Sequence, residues 1–442
     1  MKANQRNSLG YLALAVPGLI MQGCGDTHDD LHHSTATKVE IIASDDGYRL
    51  HRGGEPYLIK GAGLEYGDIE SFAAHGGNSI RTWTTENDAG TAREVLDQAL
   101  ANGVTVSLGL QIGAEHWGFD YDDPAAVAAQ LEYARDEVLK YRDHPALLVW
   151  IIGNELNLNY TNPKVYDAVN DISEMIHELD PYHPTTTTVA GLDARVLANI
   201  ESRAPDIDFV SFQVYGELEN LPAFLDEQRY QAPFFVTEWG AIGYWEVEET
   251  EWGAPIEATS TEKAETYLRG YREKLAPLDG RLLGSYVFLW GQKQERTPTW
   301  FGLFTEAGEE TEAVDVMHYI WNGAWPDNRS PSISKFVLDG KTAAENVRLR
   351  AGQGYRAAAE LTDHEGDALT YRWELKPESD ATQSGGQFEE SIESLELVID
   401  GPADEDIEMT APLATGPYRL FIYASDGQGH VAHANIPFFV DP

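Results

Sequence analysis

The sequence predicts an α/β fold in which a (β/α)8 TIM barrel is followed by a C-terminal all-β sandwich. Between residues 39 and 325, eight short apolar segments alternate with segments of helical period. Eight such units over roughly 270 residues have the size expected of a closed (β/α)8 barrel. Beyond residue 332 the pattern changes to short alternating strands, and no helix-length pattern follows Asn346. Such a series of strands is typical of an all-β sandwich.

The first 24 residues have the pattern of a bacterial signal peptide. Lys2 and Arg6 precede an apolar stretch at residues 9–21, which is too short to span a membrane as a mature helix. The Met-Gln-Gly-Cys junction at residues 21–24 resembles a lipoprotein cleavage site, which would leave Cys24 as the lipid-anchored residue. The alternative is ordinary secretion with an incidental cysteine. We therefore expect a secreted or cell-envelope protein, periplasmic or on the outer surface, that contacts a membrane only through an anchor at Cys24.

Residues 25–38 are polar and predict a flexible linker, after which the barrel sequence begins. A short hairpin around residues 45–47, Asp-Asp-Gly, comes first. Each later strand candidate is short and apolar, and a stretch of helical period follows it. The predicted barrel strands are 56–64, 79–84, 104–110, 147–155, 185–190, 208–215, 233–239 and 282–290. The predicted helices are 68–75, 90–101, 124–141, 163–179, 194–201, 221–228 and 261–275, with 312–321 after the last strand.

A change in composition at residues 326–331, Pro-Asp-Asn-Arg-Ser-Pro, predicts a linker between two domains. The barrel is therefore predicted at residues 39–325 and the sandwich at residues 332–442. The segments 363–373 and 418–429 resemble PKD/cadherin-like immunoglobulin-type modules of secreted bacterial proteins, which implies a spacer or a weak sugar-binding module. The predicted sandwich strands are 333–338, 347–350, 355–361, 369–374, 395–399, 416–424 and 430–439.

The charge of the chain is strongly negative, because 31 basic residues stand against 73 acidic ones and give a net charge of −42. Nucleic acids and anionic lipid surfaces would be repelled, so the sequence argues against both as partners. The single cysteine, Cys24, excludes an internal disulfide. The Gly-Ala-Gly motif at residues 61–63 lacks the third glycine of a dinucleotide-binding loop, so no cofactor is expected. No residue pattern predicts a metal site.

Two of the predicted barrel strands end on a glutamate. The apolar run at residues 147–152 leads into Gly153, Asn154 and Glu155, and the strand at residues 233–239 carries Glu238 near its end. These are strands four and seven of eight, so we expect the two carboxylates to face each other across the mouth of the barrel. Such a pair suits retaining glycoside hydrolysis, in which one carboxylate is the nucleophile and the other the acid/base. Either glutamate alone is equally compatible with a strand-end cap or an ion pair.

Two motifs carry a family resemblance: Trp-Ile-Ile-Gly-Asn-Glu at residues 150–155 and Thr-Glu-Trp-Gly at residues 237–240. They resemble those of the retaining β-glycosidase superfamily (clan GH-A), whose acid/base and nucleophile lie on strands four and seven. Over about residues 38–325 the chain most resembles the barrel domain of glycoside hydrolase family 2, with some similarity to β-1,3-glucanosyltransferases. The resemblance implies that Glu155 is the acid/base and that Glu238 is the nucleophile.

The same resemblance implies roles for four further residues. Asn154 would hydrogen-bond the 2-hydroxyl of the sugar, and Arg81 on strand two would stabilise the ionised nucleophile. Tyr215, at the end of strand six, would lie beside the nucleophile. Trp290, at the end of strand eight, would form an aromatic floor under the cleaved sugar. The alternatives are a buried ion pair for Arg81 and packing in the barrel core for Tyr215 and Trp290.

Aromatic residues on loops at the same rim predict a sugar-binding cleft, because sugar rings stack on aromatic faces. Trp83, Trp117 and Trp300 are the predicted platforms, with ordinary loop packing as the alternative for each. The sequence thus predicts a retaining glycoside hydrolase that cleaves β-linked polysaccharides or oligosaccharides, with a β-glucan as the expected substrate. Two alternatives remain open: a transglycosylase that uses the same site, and a non-catalytic glycan-binding surface lipoprotein.

Overall fold

The computed structural model describes residues 35–381 and 386–442. The predicted signal peptide, Cys24 and residues 25–34 of the predicted linker lie outside the described residues. Residues 35–442 form one compact unit that contains a barrel and further β-sheets. No helix in the described part of the chain is both long and apolar enough to cross a membrane.

Eight parallel strands of the described chain close into a barrel, which confirms the predicted (β/α)8 fold. The strands are β1 (Gly61–Gly63), β2 (Ser79–Arg81), β3 (Thr105–Leu110), β4 (Leu147–Ile152), β5 (Thr185–Ala190), β6 (Phe209–Gln213), β7 (Phe234–Trp239) and β8 (Leu282–Val287). They follow one another around the barrel in chain order, and β8 pairs with β1 to close it. Each strand lies within one of the predicted segments.

A helix follows each barrel strand. In the described chain these helices are α1 (Ile69–Ala74), α2 (Ala92–Ala101), α3 (Pro124–Tyr141), α4 (Lys164–Leu179), α5 (Ala194–Arg203), α6 (Leu221–Glu227), α7 (Ser260–Gly270) and α8 (Glu312–Asn322). The local sequence explains where they begin: the Asp123 side chain accepts hydrogen bonds from the first backbone N–H groups of α3, whose first residue is a proline. Thr259 and Glu262 form a capping box at α7. The predicted helix at residues 261–275 corresponds to α7, which is followed without a break by a π-helical turn at Tyr271–Leu275.

The barrel interior contains hydroxyl-bearing side chains as well as apolar ones. Four consecutive threonines at residues 185–188 make up most of β5 and are fully buried. Their hydroxyl groups have partners on neighbouring strands, on α4 or in the turn after β4, as where Thr186 Oγ1 lies 2.8 Å from Ser211 Oγ. Tyr286 Oη similarly lies 2.7 Å from Ser107 Oγ. Because these buried hydroxyls are paired, a threonine-rich strand is compatible with the barrel core.

A three-stranded antiparallel sheet covers the N-terminal end of the barrel. Its strands are Val39–Ser44, Gly47–Arg52 and Glu55–Pro56. Tyr48 N donates to Gly280 O, just before β8, at 2.7 Å. The turn fits closely there, since Gly47 has a φ of +103° and a Cβ atom on it would lie 2.3 Å from Gly280 O. The sheet leaves the opposite, C-terminal end of the barrel strands open.

The C-terminal region consists of two four-stranded sheets around a shared apolar core, which confirms the all-β prediction for this region. The strands are β9 (Ser332–Leu338), β10 (Arg348–Arg350), β11 (Gly354–Thr362), β12 (Thr370–Pro377), β13 (Ile399–Asp400), β14 (Asp406–Thr410), β15 (Gly416–Ser425) and β16 (Val431–Asp441). The strand orders are β9-β11-β14-β13 and β10-β16-β15-β12. Trp373, Leu420 and Phe438 lie in the core between them. The likeness to immunoglobulin-type modules stays a prediction.

The predicted linker at residues 326–331 contacts both the barrel and the sandwich. Ser330 N donates to Asp315 Oδ2 of α8 at 2.7 Å. Asn328 Nδ2 donates to Asp426 Oδ2, which follows β15, at 2.7 Å. The segment therefore holds the two parts of the chain together through specific hydrogen bonds.

A buried polar network also joins the sandwich to the barrel. Arg419 of β15 is buried, and its Nη2 donates to Glu378 Oε1 at 2.7 Å and to Pro255 O at 2.9 Å. Arg419 Nη1 donates to Asn435 Oδ1 at 2.7 Å, and Asn435 Nδ2 donates to Glu257 Oε2 at 2.7 Å. A buried guanidinium is destabilising without such partners. Because Pro255 and Glu257 belong to the loop after β7, the sandwich fixes a loop at the open end of the barrel.

Candidate active site

A cavity of about 750 Å³ opens at the C-terminal end of the barrel strands. At this end (β/α)8 barrels bring together side chains from different strands and loops. Both predicted catalytic glutamates, Glu155 and Glu238, line the cavity. Its walls also carry the aromatic side chains of Trp83, Tyr215, Tyr244, Trp245, Phe288 and Phe301.

Glu238, near the end of β7, accepts hydrogen bonds from four side chains. Its Oε1 accepts from Arg81 Nη1, from Trp83 Nε1 at 2.9 Å and from Gln213 Nε2 at 2.9 Å. Its Oε2 accepts from Tyr215 Oη at 2.7 Å. Donors on both oxygens, together with the positive charge of Arg81, stabilise an ionised carboxylate in one orientation.

These side chains meet because neighbouring parallel strands end at the same edge of the barrel. Arg81 is the last residue of β2 and Gln213 the last of β6. In the register between β6 and β7, Gln213 pairs with Glu238. Arg81 is fully buried, and its guanidinium lies 4.6 Å from the centroid of the Trp83 ring. A buried cation without a carboxylate is strongly destabilising, so Arg81 and Glu238 depend on each other.

Glu155 follows β4 in a turn that the sequence supports. Gly153 and Glu155 have φ angles of +73° and +48°. A Cβ atom on Gly153 would lie 2.6 Å from the Leu156 side chain, so a larger residue would have to displace Leu156 as well as adopt the positive φ that glycine favours. The backbone N–H of Glu155 donates to Thr188 Oγ1 of β5 at 2.9 Å, which fixes the turn. The Glu155 side chain then lines the pocket.

The surroundings of the Glu155 carboxyl differ from those of Glu238. Within residues 35–381 and 386–442, no side chain donates a hydrogen bond to it. Burial raises the pKa of Glu155, and the negative charge of Glu238 raises it further, to about 8, although Arg81 acts in the opposite direction. Glu155 is therefore mainly protonated at neutral pH.

Asn154 contacts two of the side chains that donate hydrogen bonds to Glu238. Its Oδ1 accepts from Arg81 Nη2 at 2.9 Å and from Gln213 Nε2 at 2.9 Å. No acceptor within residues 35–381 and 386–442 is bonded to its Nδ2 group, so this group can donate to a ligand in the pocket, which Asn154 lines.

The predicted aromatic floor, Trp290, does not reach the pocket. Trp290 is buried on the outside of the barrel wall, with ring centroids 5.4 Å from Phe72 of α1 and 5.6 Å from Trp321 of α8. This corrects the expectation for Trp290: β8 ends at Val287, so the alternation of a strand does not extend to residue 290. Phe288 lines the pocket instead. The residues that do lie together are Glu155, Glu238, Asn154, Arg81, Tyr215 and Trp83.

Two of the three predicted platforms, Trp300 and Trp117, lie outside the pocket lining. Trp300 is buried, and its Nε1 donates to Ile242 O at 2.9 Å, so it supports the wall from behind while its neighbour Phe301 lines the pocket. Trp117 lies on the turn after β3, where its side chain is 69% exposed. The expectation for Trp300 is therefore corrected to packing, whereas Trp117 is available at the rim.

Sequence reasoning missed Gln213, which donates to both Glu238 and Asn154. The available signal was an amide side chain at the end of an otherwise buried strand, because a buried polar group needs partners.

One ion pair also lies in the pocket wall. Lys293 Nζ is 2.7 Å from Glu295 Oε2 on the loop after β8. Burial raises the pKa of Glu295, and the charge of Lys293 opposes that effect. Among the residues that the structure describes, no group of three or more His, Cys, Asp or Glu side chains is arranged to hold a metal ion.

The comparison with family models matches this chain within the barrel. Residues 73–244, which include both glutamates, match the family described as “Glycosyl hydrolases family 2, TIM barrel domain”. A curated protein from Aspergillus terreus (strain NIH 2624 / FGSC A1156), “Probable mannan endo-1,4-beta-mannosidase C”, is 27% identical over 134 residues, which are 24% of this chain and 33% of that protein.

Among solved structures, β-glucuronidase 2 of Bacteroides uniformis, covalently bound to cyclophellitol-6-carboxylate aziridine, has a TM-score of 0.50 at 13% identity. The likeness covers 91% of this chain and 48% of that one. The chain thus spans about half the length of that structure and about a third of the curated relative. At this identity the structural likeness is one of fold.

Proposed function

We propose that the protein is a retaining glycoside hydrolase of clan GH-A that cleaves β-linked polysaccharides or oligosaccharides by double displacement. The observation that carries the proposal is a pair of glutamates in one pocket with opposite surroundings. Glu238 is held by four donors, whereas the pKa of Glu155 is raised to about 8. A retaining mechanism needs this division between an ionised nucleophile and a protonated acid. The family match over residues 73–244 supports it.

In the first step, Glu238 attacks the anomeric carbon and the bond from that carbon to the glycosidic oxygen breaks. Glu155 gives its proton to the departing oxygen, so the leaving sugar departs as a neutral alcohol. Formation of the covalent bond removes the negative charge of Glu238. Because that charge is one cause of the raised pKa of Glu155, the pKa then falls and Glu155 becomes a base.

In the second step, Glu155 takes a proton from water as the water oxygen attacks the anomeric carbon. The bond to Glu238 breaks, and the carboxylate regains its charge among Arg81, Trp83, Gln213 and Tyr215. We assign the free Nδ2 group of Asn154 to the sugar 2-hydroxyl, since its oxygen is already engaged.

The charge of the pocket favours an uncharged sugar. Its lining contains five glutamates and one lysine, and that lysine, Lys293, is paired with Glu295 at 2.7 Å. A uronic acid carboxylate would meet further negative charge, whereas the aromatic walls suit the apolar face of a neutral sugar ring. We therefore propose a neutral β-glycan, with β-glucan as the first candidate. A mannan, the polysaccharide in the name of the Aspergillus relative, is a second neutral candidate.

A substrate screen tests this proposal. The panel contains β-1,3-, β-1,4- and mixed-linkage glucans, mannans and galactans, with an aryl β-glucuronide as the charged comparison. We expect cleavage of at least one neutral glycan, and NMR of the first products should show retained β configuration. A 2-deoxy-2-fluoro glycoside of the cleaved sugar should form a covalent adduct on Glu238, located by peptide mass spectrometry. Inverted products, or binding of glycans without cleavage, would contradict the proposal, and products longer than the substrate would indicate transglycosylation.

We also propose that the protein is exported and held at the cell envelope by a lipid on Cys24, which lies outside the described residues. The support is the signal-peptide pattern that ends in the Met-Gln-Gly-Cys junction. In a bacterial host, a radioactive fatty acid should label the protein, and Cys24→Ala should remove the label. Equal labelling of both proteins, or none of either, would contradict the anchor.

A further inference from the structure

The C-terminal sandwich reaches the pocket that the barrel strands form. Gly386 lines the pocket, and its N–H donates to Glu295 Oε1 at 3.3 Å. We define residues 386–391, between β12 and β13, as the sandwich rim. We propose that the sandwich rim and Trp117 of the barrel form a binding subsite for the sugar on the leaving-group side of the cleaved bond. This inference rests on the proposed function and extends it to a second sugar.

The sandwich rim is fixed against the loop after β8. The buried carboxylate of Glu389 accepts a hydrogen bond from Arg296 N at 2.8 Å. The Arg296 guanidinium in turn lies 4.7 Å from the ring centroid of Tyr244, which lines the pocket. Farther along the sandwich rim, Ser391 Oγ donates to Glu306 Oε1 at 3.5 Å. These contacts fix the rim against the barrel, and Gly386 is the rim residue that lines the pocket.

A second set of contacts places the sandwich rim on the Glu155 side of the pocket. Gln387 Nε2 lies 2.7 Å from His116 Nε2 on the turn after β3. His116 Nδ1 lies 3.1 Å from Asn159 Nδ2, in the loop that carries Glu155. Because Glu155 protonates the departing oxygen, the leaving sugar must lie on this side.

Two exposed aromatic side chains flank this bridge. Phe388 is 81% exposed and Trp117 is 69% exposed. The Trp117 ring centroid is 5.0 Å from that of His116, which contacts Gln387. Large apolar side chains that stay exposed beside a pocket are typical of binding sites, and aromatic faces stack on neutral sugar rings. The aromatic walls inside the pocket serve the sugar that is attacked, so the outer pair serves the next unit of a neutral β-glycan.

Two substrates built from the same sugar distinguish binding at the subsite from the reaction of the sugar that is attacked. A cleaved β-linked trisaccharide places a sugar in it, whereas the β-glycosyl fluoride of the same sugar has only fluoride as its leaving group. In Phe388→Ala, the ratio of kcat/KM for the trisaccharide to kcat/KM for the fluoride should fall about tenfold, the change that corresponds to about 1.4 kcal/mol of lost stacking. Trp117→Ala should lower the ratio similarly, whereas Phe388→Tyr, which keeps an aromatic face at position 388, should keep the parent ratio.

Leu413→Ala is the matched control, because Leu413 is 85% exposed elsewhere on the sandwich. It should keep the parent ratio. If the parent cleaves both substrates and both aromatic-to-alanine variants keep that ratio, the subsite is wrong while the proposed function stands. A parent that cleaves neither substrate contradicts the proposed function, and the subsite falls with it. Thermal unfolding should be unchanged in all variants, since each truncated side chain is exposed. Partial unfolding of a variant would lower kcat/KM for both substrates equally, so it would not change the ratio.

Discussion

The ends of β4 and β7 carry the same side chain in opposite surroundings. At β7, Glu238 is buried and accepts hydrogen bonds from Arg81, Trp83, Gln213 and Tyr215. At β4, the backbone of Glu155 is fixed by Thr188, but its carboxyl group faces the pocket and has a pKa raised to about 8. One carboxyl is stabilised as an anion, and the other as an acid.

The difference shows that neighbours, rather than residue type, divide the roles in the pocket. Four donors to Glu238 are in place before any substrate binds. The acidity of Glu155 depends on burial and on the charge of Glu238, which changes during the proposed reaction. Changes at β7 should therefore have the larger effect on rate, and changes at β4 should alter the dependence on pH and leaving group.

Removing the charge at the end of β7 should have the largest effect. Glu238→Gln keeps the shape of the side chain beside Arg81 but leaves no nucleophile, and we expect kcat on the cleaved glycan to fall by about 10⁴-fold or more. Glu217→Gln is the matched control: Glu217 lines the same pocket and accepts from Leu192 N at 3.1 Å. It should stay within about tenfold of the parent. Equal losses in both variants would mean that the total charge of the pocket matters and not Glu238.

Removing the acid at the end of β4 should have the next largest effect. Glu155→Gln should lower kcat on the glycan by about 10² to 10⁴-fold, the usual contribution of a general acid. A β-glycosyl fluoride needs no protonation to lose fluoride, and added azide needs no base to attack, so azide should restore turnover of the fluoride. No restoration by azide would contradict the acid/base role.

The pH dependence of the parent should follow from the same residue. Only protonated Glu155 can donate, so kcat/KM for the glycan should decrease as the pH rises through about 8, the raised pKa of Glu155. The fluoride should show a much weaker decrease over that range. A glycan profile that already falls near the ordinary pKa of a glutamate, 4.5, would contradict the assignment.

Removing one donor from Glu238 should have an intermediate effect. Tyr215→Phe takes away the hydrogen bond to Glu238 Oε2, and we expect kcat to fall about 10- to 100-fold, in line with a hydrogen bond to a charged group. Burial, followed by the charge of Glu238, raises the pKa of Tyr215 well above its usual value, so the hydroxyl remains a donor at neutral pH. Tyr244→Phe, another change in the pocket lining, is the control and should have little effect on kcat.

Loosening the turn that carries Glu155 should have the smallest effect. Thr188→Val removes the acceptor of the Glu155 N–H, and we expect kcat/KM to fall about 3- to 10-fold. The loss should be larger for the glycan than for the fluoride, since Glu155 matters most for the sugar leaving group. Equal losses for the two substrates would assign Thr188 a general structural role.

Much of the barrel could be predicted from the sequence because its signals are local. Buried parallel strands appear as short apolar runs, and helices begin at recognisable caps such as Asp123. Glu155 and Glu238 stood out because each ends an apolar run, and the chain order of a barrel brings such ends to one edge. The roles of Arg81 and Asn154 were predicted from a family resemblance, and the hydrogen bond between them is a property of the tertiary structure.

The aromatic residues could not be predicted in the same way. Whether a tryptophan faces the pocket depends on where its strand ends and what packs behind it, as Trp290 against Phe72 shows. The contact of the sandwich rim with the pocket could not be predicted from the local sequence either. Gly386 is far from Glu155 in the chain and reaches the pocket only after the sandwich packs on the barrel. Networks such as that of Arg419 set this packing.

A direct titration of Glu155 tests the contrast between the two strand ends. ¹³C NMR of protein labelled at the glutamate carboxyl groups, with Glu155→Gln used to assign the resonance, gives its pKa in the free protein. We predict titration near 8 in the parent, and a lower value in Glu238→Gln, because the neighbouring charge is gone while burial remains. A value near 4.5 in the parent, or no change on removing the charge of Glu238, would contradict the account.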